Sequence, residues 1–227
     1  MSASGAIAVF GGTFDPIHYG HLRTAQELLQ RLPLAELRFV PARRPPHRGA
    51  PTASAEQRAA MVARAIAGQP RLRCERRELK RSGPSYTVDT LESLRGELGP
   101  DTPLVLVLGC DALLGLRSWH RRERLLELAH WLVVARPGWS LPAPDAPGDG
   151  DAFPARLLRE RRVEAAELTR RPAGGVLSCA LTPRDISSTR IRALLQSSAS
   201  VEGLLPAAVL AYIQSRGLYV KSQATQE

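Results

Sequence analysis

Short, continuously apolar runs recur along this chain with stretches of helical periodicity between them, and that alternation restricts the fold more than any other feature. The runs are AIAVF (6–10), LRFVP (37–41), PLVLVLG (103–109), WLVVAR (131–136) and VLSCAL (176–181). Because apolar residues follow one another instead of alternating with polar ones, both faces of each strand must be covered, as in a parallel sheet packed on both sides by helices. Segments 20–31, 54–68, 85–98, 120–130, 187–196 and 206–216 read as those helices. The second opens with Ser54 followed three residues later by Gln57, the pattern of a capping box. A more polar run, RLRCERREL (71–79), reads as an edge or antiparallel strand. The order predicts an α/β fold with a doubly wound, mostly parallel sheet.

A length of 227 residues with 44% hydrophobic composition fits a single domain with a substantial core. A Pro-, Gly- and Asp-rich stretch over 136–154 signals a loop, and 155–171 reads as a peripheral helix. The expected organisation is one domain over 1–227, with a Pro/Gly-rich insertion near 139–173 and a small helical part near 186–220. The opening segment has no basic n-region and no long apolar core, and no run approaches the roughly 18 residues of a membrane span. A cytoplasmic protein without a membrane partner is expected. Cys74, Cys110 and Cys179 lie far apart without paired spacing, so they read as reduced thiols and neither as disulfides nor as a zinc site. The formal net charge is +9, and Lys80 and Lys221 are the only lysines among 31 basic residues. The arginines are scattered and aromatics make up 5%, so no nucleic-acid partner is expected, whereas a small molecule bearing phosphates fits the charge as well.

The junction after the first strand reads FGGTFDPIHYGHL over 10–22. Gly11 and Gly12 allow a ligand to approach the backbone with no Cβ in the way, just before a helix start that favours phosphate. His18 and His21, three residues apart, share a helix face and can donate two hydrogen bonds to one group. Alone, the pair would equally suit a helix cap or part of a metal site. Neither a Walker sequence nor GxGxxG is present. Further on, ISSTRIR (186–192) places Ser187, Ser188 and Thr189 at a helix start whose N–H groups and dipole face an anion, with Arg192 adding a guanidinium fork.

HYGH (18–21) together with ISSTRIR resembles the nucleotidylyltransferases that carry an HxGH motif. Within that superfamily the chain is similar to the bacterial nicotinate mononucleotide adenylyltransferases, through PPHR (45–48), GPSYTVDTL (83–91), GCD (109–111), SWH (118–120) and ARPG (135–138), over nearly its whole length. The resemblance implies a Rossmann-like fold and transfer of the adenylyl group of ATP to nicotinate mononucleotide, giving nicotinate adenine dinucleotide and pyrophosphate, with Mg²⁺. It also implies roles for individual residues. Gly11, Gly12, Thr13 and Phe14 would follow the ATP backbone, with His18 and His21 on its phosphates. Arg136, Ser187, Ser188, Thr189 and Arg192 would meet the triphosphate from the opposite side. Asp111 would contact adenosine, or cap the helix DALLGL. For the mononucleotide, His47 and Arg48 would reach a phosphate, Ser85, Tyr86 and Thr87 would bind its pyridine end, with the N–H groups around Tyr86 and Thr87 toward the carboxylate, and Trp119 would stack on the ring. His18, His21 and Arg192 are the expected catalytic residues, with no metal held by side chains. The same fold with another phosphate acceptor, such as phosphopantetheine, or with cytidylyl transfer, and a nucleotide-binding module without turnover, are the alternatives.

Overall fold

The computed structural model describes residues 5–46, 49–134, 153–182 and 185–220. In chain order the elements are β1 (Ala6–Gly12), α1 (Tyr19–Arg31), β2 (Leu34–Pro41), α2 (Ala55–Ala65), β3 (Leu72–Cys74), α3 (Arg77–Lys80), α4 (Thr87–Leu98), β4 (Leu104–Gly109), α5 (Cys110–Leu114), α6 (Arg122–Leu128), β5 (His130–Val134), α7 (Phe153–Glu160), β6 (Val176–Cys179), α8 (Ser188–Gln196) and α9 (Ala207–Ser215). Short 3-10 turns follow α5, at Gly115–Ser118, and α7, at Ala165–Thr169.

Among the described residues the six strands form one sheet in the order β3-β2-β1-β4-β5-β6, every neighbouring pair parallel. The chain begins in the middle, builds outward through β2 and β3, then crosses back to β4 and builds the other half. Strands β1 and β4 therefore flank the switch point, where crossovers leave on opposite faces and a crevice opens at the carboxyl ends.

The uninterrupted apolar runs are explained by two cores. On β1, Ala6, Ala8 and Phe10 face one cluster and Val9 the other; on β4, Val105 and Val107 face the first and Leu104, Leu106 and Leu108 the second. Helices α1, α2, α8 and α9 cover the first face through residues such as Leu28, Met61, Ile191 and Ile213. Helices α4, α5 and α6 cover the second through Leu91, Leu113 and Leu125. Helix α2 starts with the expected box: Ser54 Oγ accepts from Gln57 N and Gln57 Oε1 from Ser54 N.

Two expectations need correction. The run over 71–79 supplies only the three-residue strand β3, which is an edge strand but parallel to β2, and then turns into α3. Glu75 N makes the last rung, to Phe39 O, and the Glu75 carboxylate then accepts from Arg77 N as the chain turns away into α3. Segment 155–171 is not one helix. Helix α7 ends at Glu160, because Val163 N pairs with Val176 O and Val176 N with Arg161 O, pulling this stretch onto β6 as a bridge. Among the described residues no helix is long and apolar enough to cross a membrane.

Candidate active site

A cavity of about 890 Å³ opens at the carboxyl ends of β1, β4 and β5, where the sheet order reverses. One wall is the β1–α1 connection, from Gly11 to Asp15 and on to His18 and His21. The start of α8 lines the cavity as well, with Ser187, Ser188, Thr189 and Arg192. Asp111 lines it at the end of β4, and Ser85, Tyr86, Thr87, Trp119 and His120 form the far end.

His18 is the N-cap of α1. Its Nδ1 accepts from Gly20 N at 3.1 Å, and His21 Nδ1 receives the His18 N–H at 3.4 Å, which closes a capping box built from two imidazoles. The rings stack with centroids 3.8 Å apart. An Nδ1 that accepts a hydrogen bond carries no proton, so each ring keeps its proton on Nε2 and is a donor there. Gly20 is needed for this stack, because a Cβ on it would lie 2.9 Å from His18 Cε1 and Nδ1.

The two earlier glycines have different reasons. A Cβ on Gly11 would meet nothing within 4 Å, so this residue leaves open space toward the cavity, as backbone approach by a ligand requires. A Cβ on Gly12 would lie 2.7 Å from the Phe14 ring. Gly12 is thus also a packing requirement. Phe14 itself is buried, has φ 49°, and sets its ring edge-on to His21 at 5.1 Å. Expected only as backbone beside ATP, it also supports the histidine pair, in a conformation that costs a non-glycine residue about 1–2 kcal/mol.

At the start of α8 Ser187 caps the helix by accepting from Arg190 N at 3.2 Å, while Ser188 Oγ donates to Pro16 O at 2.9 Å and Arg192 Nη1 to Asp15 O at 2.7 Å. The two signature segments are bonded to each other although some 170 residues separate them. Arg192 keeps four further N–H donors of its guanidinium for other acceptors. The helix-capping reading of Asp111 is not what is found: Gly109 is the N-cap of α5, and Asp111 falls in the first turn.

At the far end, Tyr86 is the N-cap of α4 and offers no side-chain cap, so the first N–H groups of this helix, from Thr87 and Val88, face outward from its start. The Tyr86 N–H does not join them, since it donates to Pro84 O at 3.1 Å, and Ser85 N donates to Arg44 O at 2.9 Å. The Ser85 hydroxyl accepts from Arg43 N and Arg44 N, tying the loop after β2 to the start of α4. Trp119 is half-buried, packs on the second core cluster and still lines the cavity. His47, Arg48 and Arg136 lie outside the described residues.

Sequence reasoning missed three residues. His120 stacks on Tyr86 with centroids 4.3 Å apart and lines the cavity. Asp15 is buried; its carboxylate accepts from Thr52 N, Ala53 N and Tyr219 Oη, at 2.8, 3.1 and 2.6 Å. Glu78 is a buried carboxyl in the cavity wall. His120 could have been found from its place in SWH; the other two carry no local signal.

The profile of the family described as cytidylyltransferase-like matches residues 9–194. A Pseudomonas paraeruginosa protein named probable nicotinate-nucleotide adenylyltransferase is 48% identical over 213 residues, spanning 94% of this chain and 96% of that relative. The chain belongs to the nicotinate-nucleotide adenylyltransferase family. A Halorhodospira halophila member of the same name is 49% identical, spanning 94% of both chains. The fold of the family extends to distant sequences: a Plasmodium falciparum nicotinic acid mononucleotide adenylyltransferase, solved as a complex with NaAD, superposes with a TM-score of 0.69 over 95% of this chain and 97% of its own at 18% identity. In this member of the nicotinate-nucleotide adenylyltransferases, the histidine pair and the start of α8 therefore line the same crevice of a Rossmann-like sheet, joined by the bonds from Ser188 and Arg192 to the β1–α1 connection.

Proposed function

We propose that this protein transfers the adenylyl group of ATP to nicotinate mononucleotide, releasing pyrophosphate and forming nicotinate adenine dinucleotide, a step of NAD biosynthesis. The observation that carries this reading is one cavity with two chemically different ends: imidazole, hydroxyl and guanidinium donors with a helix start at one, and aromatic rings beside a second helix start at the other.

ATP would lie along Gly11 to Phe14 with its phosphates between His18, His21 and the start of α8. The Nε2 donors and Arg192 would stabilise charge that builds on the departing pyrophosphate. The acceptor phosphate is already an anionic nucleophile, so no base is required, and the chain supplies position and electrostatics. The donor set suits phosphate oxygens. Among the described residues no group of three or more His, Cys, Asp or Glu stands ready to hold a metal ion. Mg²⁺ would arrive with ATP, held by phosphate oxygens and water, and would neutralise part of the triphosphate charge.

At the other end, Trp119 would stack on the pyridine ring while Thr87 N and Val88 N donate to its carboxylate. A carboxamide would turn its NH₂ toward those donors. The test is pyrophosphate release from ATP with nicotinate mononucleotide, nicotinamide mononucleotide and 4′-phosphopantetheine as acceptors. The acid mononucleotide should be used best, with kcat/KM about 10- to 10³-fold above the amide. Values within threefold for acid and amide, or a preference for phosphopantetheine, would overturn the assignment.

A further inference from the structure

Glu78 lies on α3, just past the edge strand, and is only 7% exposed although it lines the cavity beside Ser85, Tyr86 and Thr87. Its Oε1 accepts from Thr90 Oγ1 at 2.6 Å. Arg81 Nη2 stands 3.9 Å from Oε1 and donates to Thr90 Oγ1 at 2.9 Å. Oε2 is buried and has no hydrogen-bond partner among the described residues. A buried carboxyl left half-satisfied is costly, and one kept in a cavity wall, not in the apolar core, points to the site it adjoins.

We propose that Glu78 is a positioning residue for the pyridine-carboxylate end: it holds Thr90, one turn into α4, so that the start of that helix presents its N–H groups to the substrate. This rests on the function proposed above. The charge of Glu78 then matters as much as its geometry. Burial pushes this carboxyl up from the ordinary carboxylate range, the hydroxyls of Thr90 and Ser85 and the charge of Arg81 oppose the rise, and Asp89 adds to it. The charged groups facing it are Arg81 after α3, Asp89 on α4 and, farther off, Arg58 on α2. Protonated, Glu78 braces the helix start without charge. Ionised, it sets a negative charge behind the place that receives a carboxylate, and like charges near a low-dielectric wall repel.

The experiment measures kcat and KM for the acid and the amide mononucleotides from about pH 5 to 9, in the wild type and in Glu78→Gln. Both substrates carry the same phosphate, so its titration cancels in the comparison. In the wild type, KM for the acid should climb about three- to thirtyfold more than KM for the amide as pH rises. In Glu78→Gln that extra rise should vanish while kcat stays within about twofold. Thr90→Val, which removes a donor favouring the ionised form, should move the rise to higher pH and carries the test if the glutamine variant fails to fold. Superimposable acid-over-amide KM profiles in the wild type and either folded variant would overturn the role of Glu78 alone. A wild type that turns over neither mononucleotide would remove the function and this inference together.

Discussion

His18 and His21 share one wall of the cavity and both belong to the cap of α1, His18 as its N-cap residue and His21 as acceptor of the N-cap N–H. The Nδ1 of His18 satisfies Gly20 N, and loss of an N-cap costs about 0.5–2 kcal/mol, so His18→Ala mixes folding with chemistry. His21 makes the longer of the two cap bonds, its Nδ1 meeting the His18 N–H at 3.4 Å. His21→Ala should lower kcat by about 10²-fold or more, as loss of a donor to developing charge commonly does, with an unchanged circular dichroism spectrum. Wild-type turnover in the folded variant would end the assignment of His21 to the triphosphate. The histidine spacing was legible because helix geometry converts three residues into one face. That each ring is also fixed by a backbone N–H was not legible, since His is an uncommon cap.

The strands and helices were legible wherever burial on both faces forces a long apolar run, as on β4 and β5. They were misread at the periphery. Strand β3 and the stretch after α7 are shaped by hydrogen bonds to Phe39 and to Val176, partners remote in sequence. His130, the first residue of β5, shows how such links hold elements together. It is fully buried, its Nδ1 accepts from Gly175 N at 3.0 Å and its Nε2 meets Arg171 O at 2.9 Å, which only the neutral ring with its proton on Nε2 can do. It thereby fastens the segment before β6 to β5. Burial, with the charges of Arg171 and Arg95, lowers the His130 pKa below its ordinary 6.5, although the bond to Arg171 O works the other way. The unfolded chain therefore binds a proton more readily. The stability this ring contributes is complete above about pH 6.5 and is lost as pH falls from there toward the lower folded value. Between about pH 7.5 and 5 the wild type should lose more melting temperature than His130→Gln, which cannot titrate at this position. Parallel melting profiles would show that His130 is not the titrating group.

Across the whole molecule, the far end of the chain closes over its beginning. Tyr19 N donates to Leu204 O at 2.9 Å, Ser188 and Arg192 bond Pro16 O and Asp15 O, and Tyr219 Oη donates to Asp15 Oδ1 at 2.6 Å. Asp15 in turn accepts Thr52 N and Ala53 N, so one buried carboxylate joins the β1–α1 connection, the approach to α2 and the final turn after α9. Tyr219 is buried beside that carboxylate, and burial together with the Asp15 charge holds its hydroxyl protonated well above the ordinary tyrosine range. Tyr219→Phe keeps the ring and removes the donor. A hydrogen bond to a charged group contributes about 1.5–3 kcal/mol, and in a domain of this size that corresponds to about 3–12 °C in Tm. Calorimetry should find a fall in that range, and a change under about 1 °C would mean that Asp15 is held well enough without the tyrosine.

Local patterns determined a good deal of this protein. Runs that must be buried on both faces prescribe a parallel sheet, Ser54 with Gln57 prescribes the start of α2, and HYGH with ISSTRIR points to the family, because each depends on residues within a few positions of one another. The tertiary structure alone decided which residues become partners across the fold. Asp15 and Glu78 look like ordinary surface carboxylates in the sequence, and only tertiary packing buries them, Asp15 against residues 52–53 and Tyr219 and Glu78 against α4, since desolvation and hydrogen bonding are set by neighbours in space.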